Sequence, residues 1–216
     1  MKIIKIKNLN GHNLPAINAA GESLNRGQVI ILPTSTIYGL SCRYDHYQAV
    51  KEIYKLKQRS QSMPLILLVS SRQQLNTLIE KPTPAAKKLI DLCWFSSSPL
   101  PVTLILEKRS SLPPYITASS PHIAIRYTGS YFLRRLIDKT GPITSTSATI
   151  SGSKNYPDRI ENIPESIRQG VPLIVQSGQP LAGKESTIIN ITTLRPSLVR
   201  EGVVKYEHIM KMLKNN

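Results

Sequence analysis

Hydrophobic and polar positions alternate along this chain in two different ways. Short apolar runs rich in β-branched residues, such as residues 29–32, are separated by stretches like residues 49–56, where apolar residues recur at helical spacing. Runs of the first kind predict buried strands, and stretches of the second kind predict amphipathic helices. Because the two kinds alternate, the pattern is typical of an α/β domain.

The individual elements follow from this pattern and from the residues that end each run. Predicted strands cover residues 1–7, 29–32, 65–69, 102–106, 123–126, 143–147, 172–175, 186–191 and 198–200. Predicted helices carry residues 49–56, 75–79, those after Pro84, 131–137 and 204–213. Asp45 is a candidate N-cap for the first of these helices. We interpret residues 151–168, which are rich in polar residues and prolines, as a mobile loop.

Length and composition predict one domain covering residues 1–216. Hydrophobic residues make up 40% of the 216 positions, which is enough for a packed core. No apolar run approaches the ~20 residues of a membrane helix, and the first residues alternate Lys and Ile as in a strand rather than a secretory signal. The two cysteines, Cys42 and Cys93, are too few for a disulfide framework. We therefore expect a soluble cytoplasmic protein without a membrane partner.

The charge balance narrows the choice of partners. The chain has 28 Lys and Arg residues against 13 Asp and Glu residues, a formal net charge of +15. Such a surface attracts polyanions, including nucleotides, RNA and anionic membranes, although it also promotes solubility without any partner. The basic residues are spread from Lys2 to Lys214 rather than forming a tail, which favours a charged folded surface.

Two polar clusters follow predicted strands or helices in the first third of the chain. In residues 33–40 a proline ends the strand, hydroxyls follow, and Gly39 permits close backbone approach, as in a small polar ligand site or an ordinary turn. In Lys57-Gln58-Arg59 the cations are two residues apart and would diverge on a helix. They can hold one polyphosphate only if the chain leaves the helix here; otherwise they complement a helix C-terminus.

Two further clusters occur in the second half. Residues 144–152 carry hydroxyls that form either a phosphate- or ribose-binding loop or a surface turn. Arg126 ends an apolar strand, so it requires a carboxylate, a phosphate or a structural ion pair. Arg126 together with Ser186-Thr187 and Arg200 suggests a second anion-binding site. Because α/β ligand sites usually lie at strand ends, we expect the four clusters to meet at one sheet edge and to bind a nucleotide and an amino acid.

Several common site classes have no motif in this chain. The sequence contains no phosphate-binding G-x-x-x-x-G-K-[ST] loop, no G-x-G-x-x-G, no H-E-x-x-H and no G-x-S-x-G. Its four histidines show no metal-ligand spacing, and its aromatic residues do not pair as in RNA-binding modules. We therefore expect no metal ligands from the protein itself.

The combined motifs resemble the YrdC-like threonylcarbamoyl-AMP synthases over about residues 29–203, nearly the whole chain. The motifs are Pro33-Thr34 with Thr36 and Tyr38-Gly39-Leu40, Lys57-x-Arg59, Pro101-Val102-Thr103, Ala124-Ile125-Arg126, Ser145-Thr146-Ser147-Ala148, Glu185-Ser186-Thr187-Ile188-Ile189 and Arg200-Glu201-Gly202. The resemblance implies an open, twisted α/β sheet flanked by helices, with a central basic concave cleft. It implies synthesis of threonylcarbamoyl-adenylate and pyrophosphate from L-threonine, bicarbonate and ATP. The product serves a downstream transferase that modifies adenosine in tRNA.

The resemblance also implies roles for individual residues. The L-threonine pocket would be formed by Thr36, Arg126, Ser145 and Ser186, with Arg126 on the carboxylate. The ATP side would be formed by Lys57, Arg59, Ser147 and Arg200, with His122 and Asn155 as further candidates. Lys57 and Arg59 would be the catalytic cations. Mg²⁺ would be held mainly by the ATP phosphates and water.

The chain departs from the family pattern at four positions. Ser35 replaces an acidic residue, Leu100 replaces glycine, Thr149 replaces asparagine, and Leu68 stands where longer relatives have histidine. The chain also ends soon after Arg200, so we expect the single-domain form. Two alternatives stay open at this point: an RNA- or tRNA-binding module, including a double-stranded RNA binder, and a diverged paralogue without this activity.

Overall fold

A computed structural model describes residues 1–193 and 195–215 and forms a mixed α/β fold around one ten-stranded sheet. The strands are β1 (Lys2–Ile6), β2 (Ile30–Pro33), β3 (Tyr38–Ser41), β4 (Ile66–Val69), β5 (Val102–Glu107), β6 (His122–Tyr127), β7 (Ile143–Ser147), β8 (Leu173–Ser177), β9 (Thr187–Asn190) and β10 (Ser197–Arg200). Their order across the sheet is β1-β8-β2-β3-β7-β4-β6-β5-β9-β10. Parallel and antiparallel pairs both occur; β4 runs parallel to β6, for example, and antiparallel to β7.

Helices cover both faces of this sheet, though unequally. They are α1 (Leu14–Asn25), α2 (Tyr47–Leu56), α3 (Arg72–Leu78), α4 (Pro84–Trp94), α5 (Pro114–Thr117), α6 (Tyr131–Thr140), α7 (Glu165–Gln169) and α8 (Tyr206–Asn215), with a 3₁₀ turn at Ile160–Asn162. Among the described residues no helix has the length and apolar character needed to cross a membrane.

Two hydrophobic clusters show how strand alternation divides the sheet. One cluster packs α2 and α4 against side chains such as Leu67, Leu104 and Ile125. The other packs α1 and α6 against residues of β2, β7 and β8, including Leu32 and Ile143. Because neighbouring strand residues point to opposite faces, the alternate residues of β4, β5, β6 and β9 lie on the second face, beyond α1 and α6. That uncovered part of the sheet face is the floor of the main cavity.

The α/β class and all nine predicted strands are confirmed, with boundaries shifted by a few residues. Asp45 is not an N-cap: α2 begins after His46 without a side-chain cap, because the Asp45 carboxylate binds Arg43 at 2.6 Å instead. Residues 151–168, which were predicted to be a mobile loop, contain the 3₁₀ turn and the beginning of α7, so the second half of this range has regular structure.

The sequence pattern did not lead to a prediction of α1, β3 or the four-residue α5. The α1 signal was present, since Ala16, Ile17, Ala20 and Leu24 are buried at helical spacing. The β3 segment was read as part of a turn, but Tyr38 pairs with Pro33 in a tight antiparallel hairpin. This hairpin places the hydroxyls of residues 34–36 at its tip.

Candidate functional site

The main cavity, of about 370 Å³, lies on the uncovered part of the second sheet face. Alternate residues of β4, β5, β6 and β9 form its floor, and its rim consists of the β2–β3 tip, the segment after α2, the end of β7 and the residues just before β9. The walls are Thr34, Thr36, Ile37, Gly39, Arg59, Ser62, Met63, Pro64, Ile66, Leu68, Ile105, Ala124, Arg126, Ser145, Thr146, Ser147, Glu185, Ser186, Ile188, Val199 and Arg200. The cavity therefore spans neighbouring strands across the sheet face, rather than lying at one sheet edge as the sequence predicted.

The cavity brings together most of the residues that the sequence singled out. Its walls include Thr36, Arg59, Arg126, Ser145, Ser147, Ser186 and Arg200. Lys57 lies behind the wall, in contact with Ser147. Two further candidates also lie outside the wall: His122 is at the far end of β6, and Asn155 is exposed in the segment after β7.

Arg126 is buried and engages only hydroxyl groups. Its Nη1 donates to Thr36 Oγ1 at 2.9 Å, its Nη2 donates to Ser35 Oγ at 2.5 Å, and its Nε has no hydrogen-bond partner among the described residues. Burial, with a smaller contribution from the nearby Arg200, lowers the pKa of the guanidinium to about 10, so it is charged at neutral pH. A buried cation with free donors and no carboxylate partner is suited to an anionic ligand.

A chain of hydroxyls fixes the groups beside Arg126. Thr34 donates to the Ile37 carbonyl at 2.7 Å and lies 2.8 Å from the Thr36 hydroxyl. Since the Thr34 proton is already used, the Thr36 hydroxyl donates to Thr34 and accepts from Arg126. The orientation of Thr36 in the cavity is thus determined by the local hairpin.

Ser145 enters the cavity because the strand opposite it has no side chain at one position. A Cβ atom on Gly39 would lie 2.6 Å from Ser145 Oγ. Glycine therefore allows β3 and β7 to bring this hydroxyl close to the backbone of β3. Ser186 is held on the other side, where its hydroxyl lies 2.8 Å from that of Thr103.

The end of α2 explains how Lys57 and Arg59 both point inward. Gln58 has a φ of 49°, in the left-handed region, and the Arg59 amide donates to the Tyr54 carbonyl at 2.9 Å. This is the Schellman arrangement that ends many helices. On a continuous helix the side chains of Lys57 and Arg59 would point in different directions. Because the helix ends here, as the sequence predicted, both can point towards the cavity. Arg59 reaches the cavity, and burial lowers the pKa of its guanidinium.

Lys57 is 1% exposed, and its ammonium group donates only to the last residue of β7 and to the turn that follows. Its Nζ donates to the Ser147 carbonyl at 2.5 Å, to the Thr149 carbonyl at 2.8 Å and to Ser147 Oγ at 3.2 Å. Burial lowers the pKa of Lys57 to about 8; the positive charge of Arg59 adds to this shift and the negative charge of Glu185 opposes it. Lys57 is therefore close to the cavity without being part of its wall.

Glu185 was quoted within a motif but was not among the predicted site residues. Its carboxylate lies 2.6 Å from Arg200 Nη1, and Arg200 also donates to the Ser186 carbonyl at 3.0 Å. The signal that could have identified it is its position beside Ser186, because a charge next to a buried polar motif usually has a partner there. Glu185 is the one carboxylate among the described cavity walls.

The cavity walls thus carry three guanidinium groups, one carboxylate and several oriented hydroxyls over an apolar floor. Within the described ranges, no three His, Cys, Asp or Glu residues are grouped as metal ligands. This donor set is suited to an anionic ligand with additional polar groups, and a divalent cation would have to be bound chiefly by that ligand.

The chain is similar to known proteins of one family. The Sua5/YciO/YrdC family model, described as telomere recombination, matches residues 22–202. A curated threonylcarbamoyl-AMP synthase of Pyrococcus abyssi is 32% identical over 198 residues, which are 91% of this chain and 57% of that protein. The chain therefore spans little more than half the length of this relative.

Two solved structures are similar in fold. The crystal structure of Sua5 from P. abyssi complexed with L-threonine has a TM-score of 0.89 and 30% identity, covering 98% of this chain and 61% of that chain. The crystal structure of E. coli YciO has a TM-score of 0.83 and 25% identity, covering 94% of this chain and 97% of that chain.

Proposed function

This chain belongs to the Sua5/YciO/YrdC family, and from that premise we propose that it is a threonylcarbamoyl-AMP synthase. It converts L-threonine, bicarbonate and ATP into threonylcarbamoyl-adenylate and pyrophosphate, which makes it a nucleotidyltransferase. The observation that carries the proposal is the convergence of Arg126, Arg59 and Arg200 on one cavity with oriented hydroxyls. The similar P. abyssi structure is described as complexed with L-threonine, which supports the choice of amino acid.

L-Threonine binds with its carboxylate on Arg126. The guanidinium has five N–H groups, of which Thr36 and Ser35 accept two, so the others remain for the carboxylate. The hydroxyls of Thr36, Ser145 and Ser186 form hydrogen bonds with the polar groups of the amino acid. The apolar floor, including Leu68 and Ala124, contacts its aliphatic part.

ATP occupies the side of the cavity with Arg59, Ser147 and Arg200. Planar guanidinium groups are suited to phosphate oxygens, and a serine hydroxyl adds a neutral donor. His122 and Asn155 lie outside the walls and would contact only parts of the nucleotide that extend beyond them. Mg²⁺ arrives with ATP, held by phosphates and water, and neutralises part of their charge.

The reaction requires positioning more than a protein nucleophile. The threonine amine attacks the bicarbonate carbon, water leaves, and a carbamate forms. A carbamate oxygen then attacks the α-phosphorus, and pyrophosphate leaves with the electrons of the broken P–O bond. Arginine residues that neutralise charge and hold both substrates in line can provide most of the acceleration.

Pyrophosphate release tests this proposal directly. The purified chain is incubated with MgATP, L-threonine and bicarbonate, and then with each omitted in turn. We expect release that requires all three and a mass-spectrometric product with the mass of threonylcarbamoyl-adenylate. Release without threonine, or none with the complete mixture, would reject the proposed activity and leave a diverged relative.

The product would serve a transferase that modifies adenosine in tRNA, so an RNA partner is a second proposal. The net charge of +15 supports it. Binding to tRNA should weaken steeply with salt, with a log–log slope of roughly −0.7 per neutralised phosphate for single-stranded regions. Binding that does not respond to salt would contradict an electrostatic RNA surface.

A further inference from the structure

The ammonium group of Lys57 has no donor left for a ligand. An ammonium carries three N–H groups, and the carbonyls of Ser147 and Thr149 and the hydroxyl of Ser147 lie at hydrogen-bond distance from Nζ. The residue is 1% exposed and is not a wall of the cavity. Direct contact with a phosphate would require Lys57 to abandon buried carbonyls, which is costly.

The same contacts determine which way the Ser147 hydroxyl points its proton. Because an ammonium cannot accept a hydrogen bond, Ser147 Oγ must be the acceptor from Lys57. Thr149 Oγ1 lies 3.0 Å away and can donate to the same oxygen. The proton of Ser147 is then available on the side that faces the cavity, where it can be donated to an anion.

A backbone hydrogen bond links the turn after β7 to the segment that carries Arg59. The Ser151 amide donates to the Lys57 carbonyl at 2.8 Å, so both the main chain and the side chain of Lys57 form hydrogen bonds with this turn. Two residues later Arg59 enters the cavity. Lys57 therefore connects the end of α2, which presents Arg59, with the end of β7, which presents Ser147.

We propose that Lys57 is a positioning residue that makes Ser147 a hydrogen-bond donor to the nucleotide and does not itself contact ATP. This inference rests on the proposed function of the cavity. It replaces the expectation that Lys57 binds a phosphate and catalyses directly, and it leaves Arg59 in contact with the nucleotide.

The protonation state of Lys57 gives a pH dependence of activity that distinguishes this positioning role. The groups that act on the Lys57 ammonium are Arg59, whose charge favours loss of the proton, and Glu185, whose charge opposes it. With its pKa near 8, Lys57 becomes a neutral amine in mildly alkaline solution. A neutral amine can accept the Ser147 proton and turn it away from the cavity. Activity should therefore fall as pH rises through about 8, and the fall should depend on Ser147.

A double-mutant cycle tests the connection. Lys57→Met should lower kcat/KM for ATP about 100-fold in the wild-type background but less than about 5-fold in the Ser147→Ala background, because both changes remove one donor. Lys55→Met is the matched control: it removes a charge from the same helix at a side chain that is 80% exposed, and it should change kcat/KM less than twofold. Equal losses in both backgrounds would overturn the inference.

The pH profile of Ser147→Ala is the second readout and needs no change at Lys57, so it remains usable if Lys57→Met does not fold. The decline in kcat/KM for ATP above pH 8 should be present in the wild type and absent in Ser147→Ala. Persistence of the same decline in Ser147→Ala overturns the inference. A wild-type chain that releases no pyrophosphate with the complete substrate mixture rejects the proposed function instead, so the two failures are distinguishable.

Discussion

Arg200 Nη1 lies 2.6 Å from a carboxylate oxygen of Glu185, and both residues are in the wall of the main cavity. The pair is partly shielded from solvent, with side chains 32% and 18% exposed. Arg200 also donates to the Ser186 carbonyl, so its guanidinium is held in place before any ligand binds. The carboxylate orients Arg200 but also opposes the approach of phosphate, because like charges repel at this distance.

Neutralising this carboxylate should strengthen nucleotide binding. In Glu185→Gln the amide oxygen still accepts from Arg200, but the negative charge is removed. We expect the Kd for ATP, measured by calorimetry, to fall about fivefold. Glu201→Gln is the control, because Glu201 pairs with the exposed Lys205, and its Kd should stay unchanged. Weaker ATP binding in Glu185→Gln would show that the carboxylate has a different role.

Removing the guanidinium of Arg126 should greatly weaken threonine binding without lowering stability. We expect Arg126→Met to raise the KM for threonine by about 100-fold or more, since the carboxylate loses a charge-assisted contact. The thermal midpoint should be unchanged or higher, because a buried cation without a carboxylate partner is costly to fold. Arg135→Met, on the exposed face of α6, is the control. An unaltered KM for threonine would place the carboxylate elsewhere.

Gln58 should be replaceable by glycine with a gain in stability. Its φ of 49° is costly for a residue with a Cβ atom, and glycine is preferred where a helix ends in this conformation. We expect Gln58→Gly to raise the free energy of unfolding by about 0.5–1 kcal/mol in urea titrations. Gln48→Gly, within α2, should instead lower it by up to about 1 kcal/mol. The same sign for both substitutions would contradict this explanation.

Lys57 should make stability depend on alkaline pH. Its pKa is about 8 in the folded chain against an ordinary value of 10.5, so between these values the unfolded chain binds more protons. The cost of burying the charged form is fully present below pH 8 and decreases as pH rises towards 10.5. The free energy of unfolding of the wild type should therefore rise relative to Lys57→Met across this window, by roughly 3 kcal/mol at most. Urea titrations at four pH values measure the difference, and a constant difference would contradict the assigned pKa.

Much of the site could be anticipated from local rules. The sequence predicted that the chain must leave α2 at Lys57-Gln58-Arg59 for both cations to serve one ligand, and the left-handed Gln58 shows this exit. It also placed Arg126 at the end of an apolar strand where a polar partner is required. The structure shows that this guanidinium contacts the hydroxyl of Thr36, 90 residues away.

Other features could not be read from local patterns. Two of the three partners of the Lys57 ammonium are the backbone carbonyls of Ser147 and Thr149, and every residue has a carbonyl, so no side-chain motif marks these two contacts. The ion pair of Glu185 with Arg200 depends on the antiparallel pairing of β9 with β10. The Asp45 prediction failed for a different reason, because the competing partner Arg43 is only two residues away and was already present in the sequence.

The sequence by itself determined the α/β class, nearly all the strands and the residue types that enter the cavity, because hydrophobic periodicity and turn chemistry act over a few residues. Tertiary structure decided that α1 and α6 cover only part of one sheet face, and that residues of seven neighbouring strands line the uncovered part. It also decided that Lys57 lies behind the wall while Arg59 lies in it. Burial and hydrogen bonding between distant segments determine these positions, because a buried cationic side chain is stable only where hydrogen-bond acceptors surround it.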